Sequence, residues 1–556
     1  MRVIRQWLAD REGPAKKDIL LLLALFGIVF FETLGRIPLI EPDEGRYAEI
    51  PREMLERCDF VTPFLNYIKY FEKPPLHYWL NAISMSIFGQ NEFAARFAGT
   101  LMGLLTVILT YHLGRKLFDR RSGLLSAIII GTCIGFLVQA RLNITDMTLT
   151  CTLSAALGFF IVAARESEQR KALYYHLAYI CAALAVLAKG LIGIVFPGAI
   201  VFLYLLLSRR WSLLKEMRLA TGIPLFLLVA APWFILVSLR NPEFARFFFI
   251  HEHFERFTTK THGRYQPGWF FIPVLLGTML PWSFLIPAAI RRAWRDRRSE
   301  EGNVRLYFVI WAVFIFLFFS KSDSKLIPYI LPVIPALAVL LGHAFSTFLD
   351  NEFKPLRLQA SLAGGVLCSI GAGLVLYPHL VSEPDLSVTS GALAGGLFLV
   401  QGLCVLNSVT RRNALALFMA FAFFSYLLEC VVPSLILPGI VEGRSVKGLA
   451  LKVAQNAPKD AAIVSFGLKQ GLSFYTGRRV IIFGDRNELE FGSRQGDQSA
   501  WFIDMKKFPE FLALWQGTRP VYLFLTDVEY TYVKAAIPPP VTVLGRDKRK
   551  ILITNR

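Results

Sequence analysis

The chain has 556 residues, 54% of them hydrophobic and 47 of them Phe, which is too apolar for a soluble domain and puts most of it in lipid. A formal net charge of +19 does not argue for nucleic acid, because the basic residues sit in short clusters between apolar runs and not on one soluble face. The seven Cys lack the spacing of a disulfide framework or a zinc module. Cys133, Cys151, Cys181, Cys368, Cys404 and Cys430 lie in apolar stretches, as small core residues do.

The N-terminus carries Arg2, Arg5, Arg11, Lys16 and Lys17 ahead of an apolar run from Ile19 to Phe31. No small-residue cleavage site follows, so this run is read as an anchored span starting near Asp18. Further apolar segments begin near Phe93, Ser122, Met147, Ala172, Leu191, Leu219, Gly268, Val304, Leu326, Ser361, Ser390 and Asn413. About thirteen spans are therefore expected, an all-α polytopic membrane fold. Pro75 to Gly89 is short and carries His77, Tyr78, Trp79 and Asn81, and is expected to be an interfacial helix. With that segment out of the membrane, Arg115/Lys116/Arg120/Arg121, Arg165/Arg170/Lys171, Arg209/Arg210/Lys215/Arg218, Arg291 to Arg298 and Arg411/Arg412 all fall on the cytoplasmic side, as the positive-inside rule requires.

The outer face then receives the loop Arg36 to Glu92, a turn at Asn143 to Asp146, the loop Arg240 to Pro267 and the turn Ser320 to Lys325. It also receives the tail. The tail alternates strand-like runs (Ala462 to Phe466, Val480 to Phe483, Val521 to Leu525, Ile551 to Thr554) with a helical pattern at Met505 to Trp515. This predicts a soluble α/β domain over 439–556 beside a membrane domain over 1–438. The tail shows no motif that carries chemistry.

Chemistry concentrates in the first outer loop. Glu41-Pro42-Asp43-Glu44-Gly45-Arg46-Tyr47 puts several carboxylates and an Arg at the membrane boundary, where unpaired charge is costly and clusters mark sites. The bland alternative is a solvated helix start with Asp43 as N-cap. Further on, the prolines of Tyr70-Phe71-Glu72-Lys73-Pro74-Pro75-Leu76 hold Glu72 and Lys73 in an extended turn. Here the alternative is a surface turn with a local ion pair.

These two motifs, in this order after the first span, resemble those of the C-class glycosyltransferases that use polyprenyl-phosphate sugars. Among them the resemblance is to the bacterial lipid A 4-amino-4-deoxy-L-arabinose transferases, relatives of the protein O-mannosyltransferases. It covers about Asp18 to Pro438 and is weaker over the tail. It implies an undecaprenyl phosphate-linked aminosugar as donor and a phosphate of lipid A as acceptor. The family's first-loop acid falls on Asp43, and its second acid with the adjacent cation on Glu72 and Lys73; these three are the expected catalytic residues. A related transferase with another sugar or acceptor, such as one mannosylating protein, is the alternative. A lipid-linked sugar flippase fits less well, because no internal repeat is visible and the carboxylates gather at one face.

Substrate-binding roles are expected of Arg46, Tyr47, Tyr70, Asp146, Lys189, Arg256, Arg264 and Tyr329. The loop Arg240 to Pro267 holds Arg240, Arg246, Arg256, Lys260 and Arg264, a basic excess on the disfavoured side of the membrane that suits a phosphate. Contact with anionic headgroups would also explain it. Asp146 and Lys189, taken singly, read as anchors at span ends. Glu72 with His251 and His253 could supply ligands to a divalent metal such as zinc, although nothing in the spacing requires one. Membrane lipids are expected partners, nucleic acid is not, and a monomer is expected.

Overall fold

The computed structural model describes the chain apart from residues 1–9, 256–264, 296, 298, 351, 352, 354, 355, 383 and 442, and apart from the side chains of residues 251–255, 300 and 440. It divides into two compact units, Met1–Glu32 with Gly99–Ile436, and Thr33–Ala98 with Leu437–Arg556.

The first unit is a helical bundle. Among the described residues the chain has nine helices long and apolar enough to cross a membrane. Two bent pairs, Arg120–Gly131 with Ile134–Ala140 (68°) and Phe271–Thr278 with Trp282–Arg295 (111°), raise the number to as many as 11. Ala15–Phe31 and Ile192–Ser208, of 17 residues each, fill the remaining positions at which a span is predicted. Every predicted segment is thus helical, but fewer are long unbroken spans. The second bend coincides with Pro281, which has no N–H to continue a helix.

Much of the buried charge in the bundle is neutralised locally, Glu429 in Ala414–Val431 excepted, whose two oxygens are buried without a hydrogen bond among the described residues. Arg120 meets Asp18 at 2.6 Å with both side chains at most 3% exposed, and Arg121 pairs with Asp350. Arg141 donates to the carbonyls of Val29, Phe30 and Glu32, the acceptors that the end of the helix Ala15–Phe31 leaves unsatisfied. The loop Arg240 to Pro267 opens with a π-helix, Arg246–Glu255. It closes by a bridge from Tyr265 to Ser324 and a bond from Lys325 Nζ to Gln266 O (2.7 Å). The turn Ser320 to Lys325 thereby holds its end.

The second unit joins the loop Arg36 to Glu92 to the tail. In the loop, β1 (Phe64–Leu65) and β2 (Ile68–Lys69) form a hairpin whose turn residues Asn66 and Tyr67 both have positive φ (54° and 61°), as a two-residue hairpin needs. The tail contributes β3 (Ala462–Phe466), β4 (Ile481–Phe483), β5 (Phe502–Ile503), β6 (Val521–Thr526), β7 (Thr542–Asp547) and β8 (Lys550–Thr554) in the order β5-β4-β3-β6-β8-β7. Strands β5, β4, β3 and β6 are parallel. β3 and β6 are nearly continuous apolar runs with buried side chains, as parallel strands covered on both faces must be. Phe511 stacks on Phe483 (4.7 Å, 9°) in the core. The predicted strands are present; β5 and β7, short or solvent-facing, lack the apolar pattern that would announce them.

Asn66 ties the loop to the sheet. Its side chain donates to Val480 O (2.8 Å) and accepts from Val480 N (2.8 Å) and Ser473 Oγ (3.0 Å).

Candidate active site

The acidic motif begins a helix, Asp43–Arg57, with Pro42 before it and Asp43 and Glu44 in the first turn, where carboxylates complement the helix dipole. Asp43 is the first helical residue and not the N-cap. Glu44 is consumed structurally: Arg96 grips both its oxygens at 2.7 Å and also donates to Leu34 O and Ile37 O. Gly45 is required by packing, because a Cβ there would lie 2.4 Å from Gly471 N. The helix Gly471–Thr476 therefore approaches the acidic helix backbone to backbone.

Arg46 is the hub. Its Nη2 donates to Asp43 Oδ1 (2.9 Å), its Nη1 reaches Tyr70 OH (3.4 Å) and its Nε lies 3.0 Å from Glu488 Oε2. Arg46 is 5% exposed and Glu488 8%, whereas the Asp43 side chain is 51% exposed. Gln470 Nε2 donates to Glu488 Oε1 (2.5 Å). Burial works against the charge on Arg46, but Glu488, Tyr70, Tyr47 and Asp43 outweigh it and hold the guanidinium well above its usual range. Burial raises Glu488 from the ordinary carboxylate value; Arg46 opposes the rise, and the nearby Glu72 adds to it. The result is a solvent-facing carboxylate held by a cation that is itself anchored from the tail.

Tyr47 and Tyr70 wall this cluster. The guanidinium of Arg46 lies 5.1 Å from the Tyr47 ring centroid, Tyr47 packs edge-on against His77 (5.8 Å), and Asn81 Nδ2 donates to Tyr47 O (3.3 Å). His77 and Asn81 belong to the helix Leu76–Phe88, the predicted interfacial segment. Tyr78 OH is buried there with no hydrogen-bond partner among the described residues. Glu72 and Lys73 are half-buried, and Lys73 Nζ donates to Glu72 O (2.9 Å).

Glu41 enters the same unit from the other side of Pro42. Its Oε1 accepts from Gly471 N (2.9 Å), while its Oε2 is buried without a hydrogen bond among the described residues. Burial pushes its carboxyl up to about 7, against the pull of the Gly471 amide, Lys550 and Lys469. Lys469 and Lys550 are held below the usual lysine range, chiefly by burial. Sequence reasoning missed Glu488, Gln470 and Lys469, and no motif around them could have drawn attention to them.

The first unit brings together three other predicted residues. Asp146, in the first turn of Thr145–Ala163, pairs with Lys189 at the end of Glu168–Lys189, and Lys189 Nζ sits 4.5 Å from the Tyr329 ring centroid. The side chains of the pair are 12% and 8% exposed, so these are partners and not separate snorkelling anchors. Arg256 and Arg264, and the side chains of His251 and His253, lie outside the described residues. Among the described residues no group of three or more His, Cys, Asp or Glu is placed to hold a metal ion. Glu72 alone of the expected metal set has a described side chain.

Apolar helices of spanning length and a boundary carboxylate cluster define a multi-pass membrane enzyme, and comparison with known proteins gives its class. The dolichyl-phosphate-mannose-protein mannosyltransferase family matches residues 72–236 and the aminoarabinose transferase C-terminal domain matches residues 449–555; this is a membrane glycosyltransferase. The undecaprenyl phosphate-alpha-4-amino-4-deoxy-L-arabinose arabinosyl transferase of Erwinia tasmaniensis is 31% identical over 540 residues, 94% of this chain and 96% of its own. That of Aeromonas salmonicida is 31% identical over 96% of this chain and 98% of its own. The crystal structure of ArnT from Cupriavidus metallidurans bound to undecaprenyl phosphate superposes with a TM-score of 0.85 at 30% identity, covering 97% of this chain and 98% of that one. The chain belongs to the family of undecaprenyl phosphate-alpha-4-amino-4-deoxy-L-arabinose arabinosyl transferases.

Proposed function

We propose that this protein transfers 4-amino-4-deoxy-L-arabinose from undecaprenyl phosphate to a phosphate of lipid A at the periplasmic face of a bacterial inner membrane. The product carries less negative charge, which confers resistance to polymyxin and other cationic peptides. The observation that carries the proposal is the half-exposed Asp43 carboxylate held by the buried Arg46, in a chain 31% identical over 94% of its length to a transferase named for this sugar. In this reading residues 1–438 form the membrane domain, 439–556 the periplasmic domain, and the N-terminus is cytoplasmic.

The chemistry needs no strong base. A phosphate oxygen of lipid A is already anionic near neutral pH and attacks the anomeric carbon as the bond to the undecaprenyl phosphate oxygen breaks. Both leaving group and nucleophile are phosphates, so charge control dominates. Lys73 stabilises the charge that develops on the departing phosphate, and Asp43 stabilises the oxocarbenium-like centre or orients the sugar through its amino group. Tyr47 and Tyr70 shape the wall of the site. Lys189 is neutralised by Asp146, so this pair orders its helices around Tyr329.

Incubating the purified full chain with the undecaprenyl phosphate aminosugar and lipid A tests the reading. Aminosugar-bearing lipid A together with released undecaprenyl phosphate is expected; release without modified lipid A would overturn the acceptor assignment.

A further inference from the structure

The first unit contains a cavity of about 570 Å³, within the range of lipid and cofactor sites. Leu157, Phe160, Val201, Leu205, Ile223 and Leu227 supply much of its apolar wall, and two tyrosines also reach it. Tyr179 OH is spent on Met217 O (3.1 Å). Tyr175 is 1% exposed, and its hydroxyl has no hydrogen-bond partner among the described residues. Leaving such a group unpaired is costly. At the rim Trp211 and Leu214 line the cavity, and their chain neighbours Arg209, Lys215 and Arg218 are exposed. Among the described residues none of these three cations lies within ion-pair distance of an acid; Glu168 acts on Arg218 only through space. The basic rim and Tyr175 lie at the far end of these helices from Asp146 and Lys189, since Lys189 follows Tyr175 on one helix by about 20 Å of rise, and the cavity runs from that rim along the helices as far as Gly193 and Ile194.

We propose that this cavity holds one acyl chain of an anionic glycerophospholipid from the leaflet opposite the transfer site. The Tyr175 hydroxyl donates to the ester carbonyl, and Arg209, Lys215 and Arg218 attract the headgroup. The argument for an ester lipid is the position of the unpaired donor below the basic rim. A glycerophospholipid has a carbonyl acceptor just beneath its phosphate, whereas a polyprenyl phosphate has only hydrocarbon there and would leave the hydroxyl unpaired. The argument for negative charge is the three cations, each of which favours an anionic surface. The site is independent of the transfer proposed above.

Native mass spectrometry of the full chain, released from nanodiscs of equal phosphatidylglycerol and phosphatidylcholine, tests it. Phosphatidylglycerol is expected to be retained about tenfold over phosphatidylcholine. Gly198 lines the cavity, and a Cβ there would meet nothing within 4 Å, so Gly198→Phe fills the space and abolishes retention. Gly27→Phe, equally open but outside the cavity, leaves retention intact. Tyr175→Phe lowers it about three- to tenfold, and Arg209→Gln/Lys215→Gln/Arg218→Gln removes the preference for phosphatidylglycerol. Equal retention of the two lipids by the unaltered chain, undiminished retention by Gly198→Phe, or displacement of phosphatidylglycerol by undecaprenyl phosphate would overturn the proposal.

Discussion

In the bundle most buried charge is met close at hand: Lys189 by Asp146, Arg120 by Asp18, which Arg115 also reaches, and Arg121 by the exposed Asp350, which Arg11 shares; Glu429, 1% exposed, is the exception, with neither oxygen hydrogen-bonded among the described residues. In the second unit Arg96 closes on Glu44, but the remaining charge is shared. Arg46 is divided between Asp43 and Glu488, Arg52 between Glu49 and Glu56, and Glu41 keeps a buried oxygen without a hydrogen bond among the described residues. The difference follows from what surrounds each charge. An ion in a span is costly unless it is matched, whereas a unit in contact with water can keep surplus carboxylate. The pair Asp146 with Lys189 is closed, and the cluster around Arg46 is open.

The largest expected effect tests the open cluster. Asp43→Asn should lower transfer by about 10²- to 10⁴-fold at unchanged membrane abundance, since the side chain is half-exposed and the change is nearly isosteric. Turnover near that of the unaltered protein would remove Asp43 from the chemistry.

Stability separates the two kinds of cluster. Lys189→Met alone should cost about 3–5 kcal/mol by stranding Asp146, and the double change with Asp146→Leu should restore most of it. Arg46→Met strands the buried Glu488 and also removes the contacts to Asp43, Tyr70 and the Tyr47 ring, so adding Glu488→Gln should recover only part of the loss. Unfolding in detergent–denaturant titrations reads both; equal recovery would erase the distinction between closed and open clusters.

The pH dependence of the second unit is a further handle. The folded carboxyl of Glu41 titrates at about 7 against an ordinary value of 4.5, so the native state binds the extra proton. Its contribution is fully present below 4.5 and is lost as pH rises through 7, a fall of about 3 kcal/mol. Glu41→Gln should flatten the decline of unfolding temperature between pH 4.5 and 7.5, and a slope identical to that of the unaltered chain would show that Glu41 does not carry it. Smallest is the cation: Lys73→Ala should lower turnover about ten- to a hundredfold, while Arg411→Ala, an exposed control, should leave it unchanged. Equal losses would mean general electrostatics.

The bundle was largely legible because hydropathy at span length is a strong signal: each predicted segment is helical. What hydropathy could not show is where helices break, as at Pro281, or that Arg120 and Arg121 are buried partners of acids and not loop charges. The site was legible in part. Asp43, Arg46, Tyr47 and Tyr70 come from one loop and meet, and Asp146, Lys189 and Tyr329 meet despite wide separation, because each was marked by charge or aromaticity at a span end. Glu488 and Gln470 were invisible, since their role depends on Gly45 and Gly471 touching across about four hundred residues of sequence. No periodicity encodes such a contact.

Lipid A mass tests the central claim most directly. A strain lacking its own aminoarabinose transferase but still making the undecaprenyl phosphate aminosugar would receive this chain or its Asp43→Asn variant, and its lipid A would be weighed by mass spectrometry. The account predicts added aminopentose with the unaltered chain and none with the variant. Lipid A left unmodified by the well-expressed chain, or modified equally by both, would contradict it.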